Sequence, residues 1–140
     1  MTLQNQYIHE SIRELCDQQV RFAPRERKIE QIERAERLLR EVEPSRTYSY
    51  EYVCFRITGY RPETAPIIPI SGSDLLQDLA GLIEDLSESA DIRAEELGQP
   101  VHTVEQLSKM FNVSTKTMSR WRQQGLVSRK VIFDGGRKRV

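Results

Sequence analysis

Residues 101–140 read VHTVEQLSKMFNVSTKTMSRWRQQGLVSRKVIFDGGRKRV, and their local chemistry specifies two short helices followed by a hairpin. Thr103, with Gln106 three positions on, forms a capping box, in which the two side chains satisfy backbone N–H groups that the first helical turn leaves unpaired. Val104, Leu107, Met110 and Phe111 then share one inward face, and Asn112 breaks the helix. Val113 follows as a buried turn residue. Ser114 caps a second helix, on which Met118 and Trp121 face inward one turn apart while Thr115, Lys116, Ser119, Arg120 and Gln123 point outward. Gly125 suits the left-handed position that closes a helix. Past Leu126 and Val127, the β-prone run Arg129-Lys130-Val131-Ile132-Phe133 leads to the turn signal Asp134-Gly135-Gly136, and Arg137-Lys138-Arg139-Val140 returns as a second strand.

Two short helices joined by a tight turn make a helix-turn-helix, whose second helix enters the major groove of DNA with its N-terminal residues at the base edges. The residue types suit that task. Lys and Arg bind phosphate or the O6 and N7 of guanine, Gln reads adenine, and Ser and Thr serve either purpose. The hairpin would be a wing presenting Arg129, Lys130, Arg137, Lys138 and Arg139 to the backbone or a minor groove. Each part alone has a plainer meaning, an ordinary helical hairpin or a core tryptophan; their combination points to a winged helix-turn-helix on double-stranded DNA.

Residues 103–139 resemble the MerR/excisionase-type winged helix-turn-helix, through Thr103, Val113-Ser114, Thr117-Met118-Ser119-Arg120-Trp121 and Gly125-Leu126. The resemblance implies DNA contacts at Thr115, Lys116, Ser119 and Arg120 and, in the wing, at Arg137, Lys138 and Arg139. The position after the hydrophobic residue, often Arg in that family, is Ser119 here, which moves the phosphate contact to Arg120 or Arg122. A wider pattern joins this module to YSYEYVCFRITGYRPE at 48–63 and SGSDLLQDLAGLIEDLSESADIR at 71–93. Together they look like the N-terminal extension of certain bacterial sigma-70-family RNA polymerase factors, which implies RNA polymerase as a second partner and a sigma core following this chain. An end at Val140, inside a strand, agrees with a continuation. The helix through which MerR-type proteins commonly dimerise would also lie past that point.

Charge is distributed in the same sense. Residues 101–140 carry nine Lys/Arg against Glu105 and Asp134, a balance of +7, and residues 1–100 carry twelve against nineteen acids, a balance of −7. Eight of those acids (Asp74, Asp78, Glu84, Asp85, Glu88, Asp91, Glu95, Glu96) fall between 74 and 96 with only Arg93 for company. Such asymmetry suits a nucleic-acid partner for the basic end. The acidic run would be the solvated face of a helix, keeping its surroundings soluble or shielding the basic module when DNA is absent.

Upstream, Ile8, Ile12, Leu15, Cys16, Gln19 and Val20 mark one amphipathic helix over 6–22. Pro24 opens a second in its first turn, with Ile29, Ile32, Ala35, Leu38, Leu39 and Val42 inward until Glu43-Pro44 stops it. Residues 46–62 suit either a strand or a short helix from Ser49 to Gly59, and the helix is preferred. Pro62, Pro66 and Pro69 make an extended connector. Ser73 caps the acidic helix, whose Leu75, Leu76, Leu79, Leu82, Ile83 and Leu86 form its apolar face.

The expected fold is mainly α: a helical N-terminal region (1–62), a Pro-rich connector (63–73), an acidic amphipathic helix with linker (74–97) and a winged helix-turn-helix (101–140) with one β-hairpin. At 140 residues and 16.3 kDa the chain is too short for a (β/α)₈ barrel of ~250 residues. It has no apolar run of the ~20 residues that a membrane span needs, and no secretory signal at its start, so a cytoplasmic protein is expected. His9 and His102 are the only histidines, and GxSxG, P-loop and GxGxxG patterns are missing, so neither catalysis nor a cofactor is expected. Cys16 and Cys54 lack metal-ligand or disulfide spacing and read as small buried residues.

Overall fold

The computed structural model describes residues 5–63, 69–97, 102–123, 128–132 and 138–139, and among these it forms six α-helices and two small antiparallel sheets. Helix α1 (Glu10–Phe22) buries Ile12, Leu15, Cys16 and Val20 as the periodicity requires, whereas Ile8 lies before the helix and is exposed. Pro24 is the N-cap of α2 (Arg25–Glu41), one place outside the turn expected for it, and Ile32, Ala35, Leu38 and Leu39 point inward. Within α2, Arg34 pairs with Glu30 at 3.6 Å.

The ambiguous stretch after Pro44 resolves mostly as helix. Ser49 accepts a hydrogen bond from the Tyr52 N–H at 3.2 Å to start α3 (Tyr50–Thr58), and Gly59 ends it at φ 82°, where a side chain would strain the backbone. Just before it, β1 (Thr47–Tyr48) pairs antiparallel with β2 (Ile70–Ser71), so the far end of the Pro-rich connector is a strand.

That pairing also moves the start of the acidic helix. The cap of α4 (Gly72–Ala90) is Ser71, whose hydroxyl accepts from the Asp74 N–H at 3.2 Å, and not Ser73. Gly72 donates its N–H to the Arg46 carbonyl at 2.7 Å, and a Cβ built there would sit 1.9 Å from the Glu43 carbonyl oxygen. Only glycine fits so close an approach of two backbones.

Helix α4 is the hub of the molecule, packing against α1 and α2 and, further along the chain, against α6 (Thr115–Gln123). Leu75, Leu79, Leu82, Ile83 and Leu86 are fully buried on it. Its acids correct the expectation of a solvated face, because Asp78, Glu84 and Asp85 are buried too. For Asp78 and Asp85 the reason is the N-terminal arm laid across them. Asp78 accepts from the backbone N–H of Ile8 at 2.8 Å and of His9 at 3.0 Å. It thereby caps α1, whose N-cap residue His9 offers no side-chain cap. Asp85 accepts from Asn5 Nδ2 at 2.9 Å and from the Tyr7 hydroxyl at 2.7 Å. Burial pushes the Tyr7 hydroxyl far above its ordinary range, with Cys16 and Asp85 adding to it, and burial likewise pushes the Cys16 thiol up to about 12.

The end of the helix-and-linker segment 74–97 is regular structure. Helix α4 continues to Ala90 and a 3₁₀ turn spans Ala94–Leu97. Arg25 ties it to α2, donating to the Ala90 carbonyl at 2.9 Å and to Glu96 at 2.6 Å. Cys16 and Cys54 are free and buried. Among the described residues no helix is long and apolar enough to cross a membrane.

Candidate nucleic-acid interface

The capping box forms as read: the Thr103 N–H donates to Gln106 Oε1 at 2.8 Å and the Gln106 N–H to Thr103 Oγ1 at 3.1 Å, opening α5 (Val104–Met110). Asn112 adopts the left-handed conformation at φ 54°, which turns the chain between helices. Ser114 then accepts from the Thr117 N–H at 3.1 Å and starts α6. Met118 is buried against the fold, so the opposite side of α6 is its outer side.

Lys116 and Arg120 are exposed on that outer side, and Thr115, the first residue of the helix, is exposed at its start. Among the described residues no carboxylate lies within ion-pair distance of Lys116 or Arg120, and between Glu105 and Asp134 the chain contains no acidic residue at all. Ser119, Arg122 and Gln123 belong to α6, but their side chains lie outside the described residues. Farther on, β3 (Val131–Ile132) pairs antiparallel with β4 (Lys138–Arg139), Val131 opposite Arg139 and Ile132 opposite Lys138. The two strands are where the basic hairpin was expected. Arg137, the Asp134-Gly135-Gly136 turn and Gly125 fall outside the described residues, as do the side chains of Lys138 and Arg139.

Arg129 and Lys130 take a different position from the one expected. They precede β3 and face the helical bundle. The Arg129 guanidinium grips Glu36 of α2 through two parallel hydrogen bonds, Nε to Oε2 at 2.6 Å and Nη2 to Oε1 at 2.5 Å. Glu36 holds the guanidinium above its ordinary value, prevailing over burial, which acts the other way. Lys130 Nζ reaches Glu88 of α4 at 3.3 Å. Charge alone could not distinguish these two cations from their neighbours, because their partners lie 93 and 42 positions away.

The inward face of α5 also differs from expectation. Met110 and Phe111 are 61% and 60% exposed, and Trp121 is 38% exposed, its ring edge-to-face with Phe111 at 6.4 Å. Trp121 is therefore a half-covered ring at the side of the two-helix unit and not a core residue. Trp121→Ala is expected to cost about 1–2 kcal/mol, below the ~3–5 kcal/mol of a fully buried ring, in a urea melt followed by circular dichroism.

Among the described residues no group of three His, Cys, Asp or Glu side chains is placed to hold a metal ion. Comparison with protein-family models, with curated proteins and with solved structures gave no match.

Proposed function

We propose that this chain is a DNA-binding module of the winged helix-turn-helix kind, serving transcription, with α6 as the helix that enters the major groove. The observation that carries this reading is the outer side of α6, where Lys116 and Arg120 stand exposed, with no carboxylate of the described residues within ion-pair distance and no acidic residue between Glu105 and Asp134 in the sequence. Exposed cations on a short, well-capped helix suit phosphate and guanine. Asp78, Asp85 and Glu84 are themselves buried, held by the N-terminal arm and by Ser128. The β3–β4 pair supports the reading by placing a basic strand, 138–139, at the end of the module.

A second reading has its own support. Phe111 and Trp121 form an exposed edge-to-face pair, and Met110 beside Phe111 in the chain is exposed too, which suits a protein partner. A fluorescence-anisotropy titration of a labelled duplex at 50, 100 and 200 mM salt separates the two. A DNA binder loses affinity steeply across that range as counterions are released, by about 0.9 log units per log unit of salt for each phosphate contact. No retention of duplex at 50 mM salt would leave the protein-docking reading in its place.

A further inference from the structure

Four consecutive residues before and within β3 are anchored to the bundle, each by a different contact. Ser128 Oγ donates to Glu84 at 2.9 Å, Arg129 makes its bidentate pair with Glu36, and the Lys130 backbone N–H donates to the buried Ser87 hydroxyl at 2.8 Å. Val131 is 1% exposed and joins the hydrophobic core. The Arg129–Glu36 pair is itself largely removed from water, with side chains 19% and 9% exposed. A phosphate would have to displace a matched, desolvated carboxylate to reach that guanidinium.

We propose that Arg129 and Lys130 are positioning residues: with Glu36 and Glu88 they clamp the hairpin to α2 and α4, the helix on which α6 also packs, so that strand and recognition helix are presented to DNA in one fixed relation. This rests on the DNA-binding reading and adds to it that the two cations touch no DNA. The clamp also makes the basic module and the helical bundle a single unit, although the sequence reads them as separate segments.

Opposite-charge variants distinguish a clamp from a contact. A DNA contact would be weakened by Arg129→Gln and strengthened by Glu36→Gln, which frees the guanidinium. In a clamp both substitutions break the same pair, so both are expected to lower duplex affinity, by roughly tenfold each, with the double variant little worse than either single one. The salt slope should stay at the wild-type value, since no phosphate contact is lost. Lys130→Gln and Glu88→Gln, at the more exposed pair, provide the same comparison where a buried variant folds poorly, and are expected to act in the same direction as each other.

Hydrogen exchange of the full-length chain supplies a readout independent of DNA: the amides of 128–132 should lose protection in Arg129→Gln and Glu36→Gln alike. Opposite signs in affinity, or unchanged protection in both variants, would overturn the clamp. A wild-type chain that binds no duplex removes the DNA reading instead, and exchange alone then decides whether the clamp exists.

Discussion

Asp78→Ala is expected to destabilise the fold by about 2–5 kcal/mol, because it removes the buried carboxylate that accepts from the part-buried backbone N–H groups of Ile8 and His9, each hydrogen bond to a charged group contributing ~1.5–3 kcal/mol. Against a total stability of roughly 5–15 kcal/mol this is a large share. The substitution also uncaps α1 and releases the arm that shields Asp85, so the loss should appear first as exchange at residues 5–12 and then as a lower melting temperature. Glu95→Ala, at an exposed position of the same acidic run, should stay within about 0.5 kcal/mol of wild type. Chemical denaturation of both variants checks the contrast. Equal effects would mean that the acidic helix is solvated after all.

The same carboxyl carries a pH signature. Burial pushes Asp78 above its ordinary value of 3.8, outweighing the two backbone N–H groups and His9, which pull it down. A carboxyl whose value is raised by folding contributes stability that is complete below the unfolded value and is lost as pH rises through the folded one. Relative to Asp78→Asn, which does not titrate there, the wild type should therefore become less stable on going from about pH 3.5 towards neutrality. A difference that grows in the opposite direction would show that the hydrogen bonds dominate burial.

The second large effect is on binding. Lys116→Ala and Arg120→Ala together are expected to weaken duplex affinity by about 100-fold, each lost contact accounting for roughly 1–3 kcal/mol. The salt slope should fall by about one for each phosphate contact removed. Both side chains are exposed, so the melting temperature should hardly move. Met118→Ala, two positions from Lys116 but 1% exposed, should behave in the reverse sense, costing ~2–5 kcal/mol of stability through the cavity it leaves. If the double alanine variant binds duplex as tightly as wild type, α6 is not the recognition helix.

What could be read from the chain followed the range of the interactions concerned. The caps at Ser49, Thr103 and Ser114, and the end at Gly59, depend on partners three or four residues away, so the helix starts were legible in the sequence. The Ser71 cap was not, because it is chosen by the approach of Gly72 to the Glu43 carbonyl across the connector. Nor was the burial of Asp78 and Asp85. Acids at helical spacing look solvated until an arm 70 to 80 positions away covers them. The candidate site divides the same way. Lys116 and Arg120 were placed outward by period alone, whereas Arg129 and Lys130 were drawn to Glu36 and Glu88 by tertiary contacts that composition does not reveal. Nor did the period foresee that Met110 and Phe111, at the end of the seven-residue α5, stand exposed.

The most direct test is a backbone-amide NMR titration of the full chain with a short duplex at low salt. Shift changes and broadening concentrated on 115–123 and 138–139, with α1 to α3 silent, are the result expected of a major-groove helix and an adjoining basic strand. Changes confined to the surfaces of α1 to α3, or none at any duplex concentration, would contradict it.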